Sequence, residues 1–175
     1  MAFTNIAVDT ASLPDARELE LTPMAPAYRR EVLTQRLIIF TPILLVSWLP
    51  HLLPIRPPTL ALVLESLPAL VLAIAILTTW LALRRAGVKG YALRQHDIIY
   101  RTGLVFRKTI ALPFNRVQHI EVASGPLQRR FGLASLKFFT AGGAGVDLRM
   151  DGLAAADAER LREFILARSE AGRHA

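Results

Sequence analysis

Several side chains able to take part in catalysis occur close together in the second half of the chain. His119 could act as a base, Ser124 as a nucleophile and Asp147 as the orienting acid of a hydrolytic triad. However, residues 117–122 (VQHIEV) alternate between apolar and polar side chains, as a half-buried strand does. This pattern places His119 and Glu121 on the solvent face. It predicts a surface histidine, with a membrane-bound hydrolase that uses His119 as the alternative.

Other catalytic or cofactor-binding patterns are missing from the sequence. The glycine cluster at 141–145 (AGGAG) precedes a strand-like segment and no Lys-Ser/Thr pair follows it, so neither nucleotide-binding fingerprint applies and a hairpin turn is predicted. The chain has no cysteine and only four scattered histidines, which disfavours thiolate chemistry and a zinc site. Carboxylates occur singly rather than in catalytic pairs. We therefore expect no catalytic residue, no metal and no cofactor.

Two pairs of basic residues remain as candidate binding residues. Arg107 and Lys108 follow a glycine turn, whereas Arg129 and Arg130 precede Phe131 on a connection between two predicted strands. A guanidinium group binds carboxylate or phosphate in a fork geometry, and a neighbouring apolar side chain can add buried area. These five residues predict contact with a partner protein or with anionic lipid. A solvated positive surface is the alternative.

The composition indicates membrane-spanning segments. The chain of 175 residues is 53% hydrophobic with a mean hydropathy of +0.37, which is too apolar for a soluble domain of this size. Two apolar runs, residues 37–55 and 59–83, are separated only by Arg56-Pro57-Pro58. About 20 helical residues at about 1.5 Å each cross a hydrocarbon core of about 30 Å. The runs therefore predict a transmembrane hairpin with both chain ends on one side.

Basic residues indicate the orientation of this hairpin. Six of them flank its outer ends: Arg29, Arg30, Arg36, Arg84, Arg85 and Lys89. Because Lys and Arg are enriched on the cytoplasmic side, we expect a multi-pass protein of the inner (plasma) membrane with both termini in the cytoplasm. A signal peptide fits poorly, since 36 residues with an acidic start precede the first run. Two buried helices of a soluble protein are disfavoured because too few other residues remain to cover them.

Two ionisable residues interrupt the apolar runs. His51 and Glu65 lie at similar distances from the predicted turn, and an ionisable pair inside a membrane is a functional-site hypothesis by default. A structural or snorkelling role is the alternative, because both residues lie near the outer end of the hairpin.

The chain after Gly90 has the pattern of a small β-rich domain. Seven short segments separated by turn residues predict an antiparallel barrel or sandwich. The clearest alternation places three apolar residues on one strand face: Val146, Leu148 and Met150. After Gly152, apolar residues recur at the 4-3-4 spacing of an amphipathic helix: Ala154, Ala158, Leu161 and Ile165. The predicted segments are a polar start (1–24), a juxtamembrane segment (25–36), the hairpin (37–83), the domain (88–168) and a tail (169–175).

Four motifs in order resemble a known family. They are RTGL at 101–104, ALPFNRVQHIEV at 111–122, GPLQRRFGLASL at 125–136 and TAGG at 140–143. Together they resemble the membrane-anchored bacterial pleckstrin-homology-like family (YdbS-like), over roughly residues 25–168. The resemblance implies an α+β membrane protein in which a two-helix transmembrane hairpin precedes a PH-like antiparallel barrel or sandwich with one carboxy-terminal helix. It also implies a companion membrane protein carrying several such domains.

The charge distribution bears on the partner. Residues 84–175 carry sixteen Lys/Arg against eight Asp/Glu, a net charge of +8 that suits anionic partners. Nucleic acid is disfavoured, because the strands show no base-stacking aromatic pattern and a membrane tether would restrict access. We therefore expect a non-enzymatic membrane protein whose PH-like domain binds a partner protein, anionic lipid headgroups, or both. A homo-oligomer remains open.

Overall fold

Two long helices precede a domain of two small sheets. The computed structural model describes residues 19–52, 58–140 and 145–171. Helix α1 spans Ala27–Trp48 and continues as a 3₁₀ turn at Leu49–Leu52, and helix α2 spans Pro58–Val88. Both helices run without interruption through an internal proline, Pro42 in α1 and Pro68 in α2.

Both helices are long and apolar enough to cross a membrane. The segment Ala27–Leu52 has a mean hydropathy of 1.7 and Leu62–Val88 has 2.1. Only 11% of the most apolar window of each helix is buried inside the protein. An apolar helix that the protein itself leaves uncovered requires lipid around it. The two helices are therefore the predicted transmembrane hairpin rather than the core of a soluble protein.

The helices extend past the predicted apolar runs at the end nearest the domain. Helix α1 begins at Ala27 rather than at the first apolar residue, Leu37, and α2 continues beyond Leu83 to Val88. The added turns carry arginine, glutamate and alanine, which are good helix formers that tolerate the headgroup region. The predicted turn at Arg56 and Pro57 lies outside the described residues.

Within the described part of the chain, seven strands form the two sheets. The first sheet has the order β1 (Thr22–Pro23), β2 (Gly90–Leu93), β3 (Asp97–Thr102) and β4 (Lys108–Pro113). The second has the order β5 (Val117–Ala123), β6 (Leu133–Thr140) and β7 (Leu148–Ala154). Every pairing among them is antiparallel. Of the two predicted arrangements, the described strands form the sandwich and not a closed barrel.

Strand β1 comes from the segment that the sequence analysis assigned to the polar start of the chain. Thr22 pairs with Tyr91 and Pro23 pairs with Gly90. The residues just before α1 and just after α2 therefore meet in one sheet, on the same side of the hairpin.

The core lies between the sheets and the last helix. Helix α3 spans Pro126–Arg130 and helix α4 spans Ala155–Ala171. The most deeply buried large side chains come from both sheets and from α4: Ile98, Leu136, Phe138, Met150 and Ile165. Each such side chain contributes about 1.5–3 kcal/mol when it is removed from water. The helical pattern of Ala158, Leu161 and Ile165 is confirmed, since all three are buried.

The sequence prediction was wrong at two residues near β7. Val146 is exposed and precedes the strand, because the loop closes at Asp147, whose carboxylate accepts hydrogen bonds from Thr140 N and Oγ1, both at 2.7 Å. These hydrogen bonds also lower the pKa of Asp147. Ala154 ends β7 instead of opening the helix, because it still pairs with Leu133.

The domain packs directly on the base of the hairpin. Ala25 N donates a hydrogen bond to Gly152 O at 2.9 Å, and Lys89 Nζ donates to the Tyr28 hydroxyl at 2.8 Å. Tyr28 belongs to the same buried cluster as the sheet residues. The Tyr28 ring lies so close to Gly152 that a Cβ atom there would overlap it. The domain therefore has a fixed position relative to the transmembrane helices.

Candidate partner- and lipid-binding surface

The side chains of the hydrolytic alternative do not converge. His119 is exposed on β5, as the sequence analysis predicted. Ser124 lies five residues further along an extended chain, about 16 Å away, and its hydroxyl donates to Leu133 O at 2.7 Å. The Asp147 carboxylate binds Thr140 instead of a histidine. This arrangement provides no activated nucleophile.

The local geometry of β5 differs from strict alternation. A β-bulge separates the pairs Val117–Thr140 and His119–Phe139. Because a bulge adds one residue to a strand, the buried positions Val117 and Ile120 are three residues apart instead of two.

Within residues 19–52, 58–140 and 145–171, no group of three or more His, Asp or Glu side chains could hold a metal ion. The predicted glycine turn lies mostly outside these residues.

The basic pair Arg107–Lys108 lies at one end of the first sheet. Arg107 ends the loop between β3 and β4, Lys108 begins β4, and both side chains are exposed. This loop also exposes Val105 and Phe106, whose exposed fractions are 78% and 89%. The sequence analysis did not single out these two apolar residues. They belong to one of the short segments that were predicted to form strands.

A glycine makes the tight β3–β4 loop feasible. Gly103 has a φ of 99°, and a Cβ atom at this position would overlap Phe106 O. A groove of about 650 Å³ lies beside the loop and reaches the end of α2. It is lined by Leu21, Val88, Arg101, Gly103, Arg107 and Thr109.

The second basic pair lies on helix α3, which polar side chains hold against the second sheet. Gln128 Oε1 accepts a hydrogen bond from Gly125 N at 3.0 Å, and Gln128 Nε2 donates to Ser135 Oγ at 3.0 Å. Ser135 in turn donates to Asp151 Oδ1 at 2.8 Å. The pair therefore projects from a positioned helix of five residues rather than from the irregular connection that the sequence suggested.

The three predicted residues around α3 differ in exposure. Arg129 and Arg130 are exposed, and Arg129 Nη1 also donates to Ser124 O at 3.4 Å. Phe131 is half-buried and packs against the core. It mainly stabilises the end of α3 and leaves little apolar area for a partner.

The two predicted basic pairs form two separate patches rather than one site. Arg107 and Lys108 belong to the first sheet, whereas Arg129 and Arg130 precede β6 of the second. Both patches lie toward the hairpin, because the groove beside Arg107 includes Val88 of α2 and helix α3 contacts α1.

A third basic surface lies between the transmembrane helices, near the domain. The Arg84 guanidinium lies 5.1 Å from the centre of the Trp80 ring, and the neighbouring groove of about 600 Å³ also contains Arg29 and Arg30 of α1. Because Gly87 has no side chain, the Arg29 guanidinium can cross α2 there. The sequence analysis used these arginines only for orientation. The residue that could have identified this surface in the sequence is Trp80, because tryptophan is enriched at membrane interfaces.

The intramembrane residues His51 and Glu65 lie on different elements. His51 is in the 3₁₀ turn after α1, with its ring centre 5.2 Å from that of Trp48. Glu65 is exposed on α2. Their pairing stays a prediction.

Comparison with known proteins agrees with this architecture. Residues 32–169 match the family described as "Bacterial PH domain", a range that covers most of the hairpin, strands β2 to β7 and nearly all of α4. The chain belongs to the bacterial PH domain family. The resemblance found in the sequence is therefore confirmed.

The chain is also similar to two further proteins. The chain is 31% identical over 81 residues to the UPF0699 transmembrane protein YdbS of Bacillus subtilis (strain 168), which is 46% of the chain and 49% of YdbS. It thus spans about half the length of this curated relative. It is also similar to a DUF1696 family protein with a pleckstrin-homology domain from Shewanella loihica PV-4, with a TM-score of 0.37 and 16% identity, covering 46% of this chain and 70% of that one.

Proposed function

We propose that this bacterial PH domain protein is a non-enzymatic binding module of the inner membrane, which captures a partner protein through helix α3. The observation that carries the proposal is the position of Arg129 and Arg130. Both are exposed on a short helix that Gln128, Ser135 and Asp151 fix to the sheet beside α1. Two guanidinium groups held in this way form a preorganised site for carboxylates.

The chemistry of α3 favours an acidic partner surface. We infer that the partner is a companion membrane protein with several PH-like domains, as the family resemblance implies, and that anionic lipid headgroups compete for the same arginines. The separation of His119 from Ser124, whose hydroxyl donates to Leu133 O, supports a binding role over hydrolysis. A membrane-bound hydrolase that uses His119 is the alternative.

We predict that both termini lie in the cytoplasm. The strands β1 and β2 bring the two flanks of the hairpin together, and basic residues surround both flanks. Alkaline phosphatase fused after Arg168 should therefore be inactive. The same enzyme inserted after Arg56, in the predicted turn, should be active as the matched control. Periplasmic activity of the Arg168 fusion would contradict this orientation.

The second prediction tests the binding site. Replacing Arg129 and Arg130 together by lysine should reduce partner capture by about three- to tenfold, because lysine keeps the charge but loses the fork geometry. Capture is measured by affinity purification from native membranes at several salt concentrations. A change in salt concentration should alter partner capture to the same extent in the lysine variant and in the unchanged protein.

Two control variants make this result specific. Replacing Arg160 and Arg162 of α4 by lysine changes two other surface arginines, one exposed and one partly buried, and should leave capture unchanged. His119→Ala should also leave it unchanged. Full capture by the lysine variant of α3, together with loss of capture in His119→Ala, would place the site elsewhere.

A further inference from the structure

Val105 and Phe106 are exposed to an unusual extent for large apolar residues. Among the described residues after α2, they are the only large apolar side chains that are more than half exposed. Neither side chain is among those that pack on the core. Two adjacent, uncovered apolar side chains at a loop tip are typical of a contact surface.

The strand register places this loop at the end of the sheet nearest the membrane. Strand β2 begins at Gly90, directly after α2 ends at Val88, and Gly90 pairs with Arg101 of β3. One residue later, Thr102 pairs with Lys108. Residues 103–107 therefore project from the side where α2 leaves the membrane. The groove that joins Gly103 and Arg107 to Val88 confirms this proximity.

The loop is long enough to reach the bilayer interface. Its tip lies about three residues beyond Gly90, which is about 10 Å along a strand. The same distance corresponds to about six residues of helix. Six residues before Gly90 lies Arg84, the first charged residue after the apolar span. The tip is thus at the height of the lipid headgroups.

The charges around the loop match anionic lipid. Arg107 and Lys108 are exposed beside Phe106, and Arg101 lines the adjoining groove. None of the described residues that line this groove is acidic. An apolar tip with a cationic rim suits an interface in which hydrocarbon lies below phosphate.

We propose that the β3–β4 loop is a membrane-insertion element of this protein. Val105 and Phe106 enter the upper acyl region of the bilayer that surrounds α1 and α2, while Arg101, Arg107 and Lys108 bind the phosphates of anionic lipids. The inference extends the proposed function, since it assigns lipid to the Arg107–Lys108 patch and leaves the partner protein to α3. The domain already contacts the hairpin where Gly152 packs against Tyr28. The insertion of the loop would hold the domain against the membrane at a second point.

The absence of cysteine from the chain allows a direct test on the full-length protein. Val105→Cys carries an environment-sensitive fluorophore. Asn115→Cys carries the same label in a second 3₁₀ turn, Phe114–Arg116, at the opposite end of the first sheet. Each protein is placed in nanodiscs of phosphatidylethanolamine and phosphatidylglycerol that contain a lipid with a nitroxide quencher in the upper acyl chain. We expect about threefold stronger quenching at position 105 than at position 115.

Variants of the labelled Val105→Cys protein separate insertion from mere proximity. Phe106→Ser should lower the quenching, whereas Val146→Ser should not, because Val146 is an exposed apolar residue of a loop at the far end of the second sheet. Replacing Arg107 and Lys108 by glutamine should lower the quenching in discs with phosphatidylglycerol and have less effect in discs of neutral phosphatidylcholine. The unfolding midpoint should stay unchanged in all of these variants, since the altered side chains are exposed.

Three results would overturn the proposal. The first is equal quenching at positions 105 and 115. The second is strong quenching at 105 that neither Phe106→Ser nor the glutamine variant reduces, because the loop would then merely lie near the bilayer. Shielding of the label only in native membranes, and not in nanodiscs, would indicate a protein partner and would equally reject lipid insertion. Partner capture through α3 is independent of each of these results.

Discussion

Gly152→Ala is expected to lower the free energy of unfolding by about 2–5 kcal/mol, since it combines backbone strain with a steric clash. Gly152 has a φ of 86°, which an L-residue with a side chain rarely adopts. The new Cβ would also lie 2.6 Å from Cδ1 and Cδ2 of Tyr28. Neither β7 nor the start of α1 can move easily, because Ala25 N binds Gly152 O. The change is measured by denaturant or thermal unfolding of the full-length protein in detergent.

Gly132→Ala is the matched control for Gly152→Ala. Gly132 also has a positive φ, 64°, but no atom lies within 4 Å of the position that its Cβ would take. It therefore carries only the backbone strain, about 1–2 kcal/mol. Replacing Tyr28 by alanine in the Gly152→Ala protein removes the clash. The loss of unfolding free energy in the double variant should therefore be smaller than the sum of the losses in the two single variants. Equal losses in the two glycine variants would show that Tyr28 does not hold the domain.

The contact between Tyr28 and Gly152 also bears on function. Only Lys89 separates α2 from β2, and few residues connect β1 to α1. These connections keep the domain near the membrane but do not set its angle. We expect the packing of Tyr28 against β7 to keep α3 beside α1. A loss of this packing should therefore weaken every interaction that needs a fixed height above the bilayer.

The membrane helices and the last helix could be predicted because their signals are local. A run of apolar residues as long as 59–83 has few stable alternatives to a membrane helix. The spacing of Ala158, Leu161 and Ile165 likewise reports a single buried face. The helix ends could not be predicted from apolarity, since arginine and glutamate extend a helix into the headgroup region without any hydrophobic signal.

Strand pairing between segments that are distant in the sequence could not be predicted from local signals. Thr22–Pro23 forms a strand because it pairs with β2 across the whole hairpin, and two residues carry no periodicity of their own. The bulge in β5 and the late end of the β6–β7 connection depend on hydrogen bonds to the neighbouring strand.

The candidate surface could be predicted only in part. The exposure of His119 and of the two basic pairs followed from alternation and turn residues. The burial of Phe131 did not, because its partners come from elsewhere in the core. The exposure of Val105 and Phe106 could not be predicted either. Apolar residues in an alternating segment suggest burial, and only the register of β3 and β4 shows that they lie in the loop.

Ser135→Ala is expected to lower the free energy of unfolding by about 1–3 kcal/mol, because its hydroxyl takes part in two buried hydrogen bonds. Ser135 is 1% exposed, accepts from Gln128 Nε2 at 3.0 Å and donates to Asp151 Oδ1 at 2.8 Å. Without the hydroxyl, the Gln128 amide loses its link to the sheet. Asp151 keeps its hydrogen bond from Arg149 Nε at 2.7 Å, which limits the loss. Chemical denaturation in detergent measures this change.

The effect of Ser135→Ala on binding separates a structural role from a positioning role. Ser124→Ala is the control, since Ser124 lies next to α3 and its hydroxyl donates only to Leu133 O. It should cost about 0.5–1.5 kcal/mol and leave α3 attached to β6. Because Ser135 holds α3 through Gln128, Ser135→Ala should reduce partner capture at temperatures where both variants are fully folded, and Ser124→Ala should not. Gln128→Ala should weaken capture in the same way as Ser135→Ala. If all three folded variants capture the partner equally well, the orientation of Arg129 and Arg130 does not depend on this network.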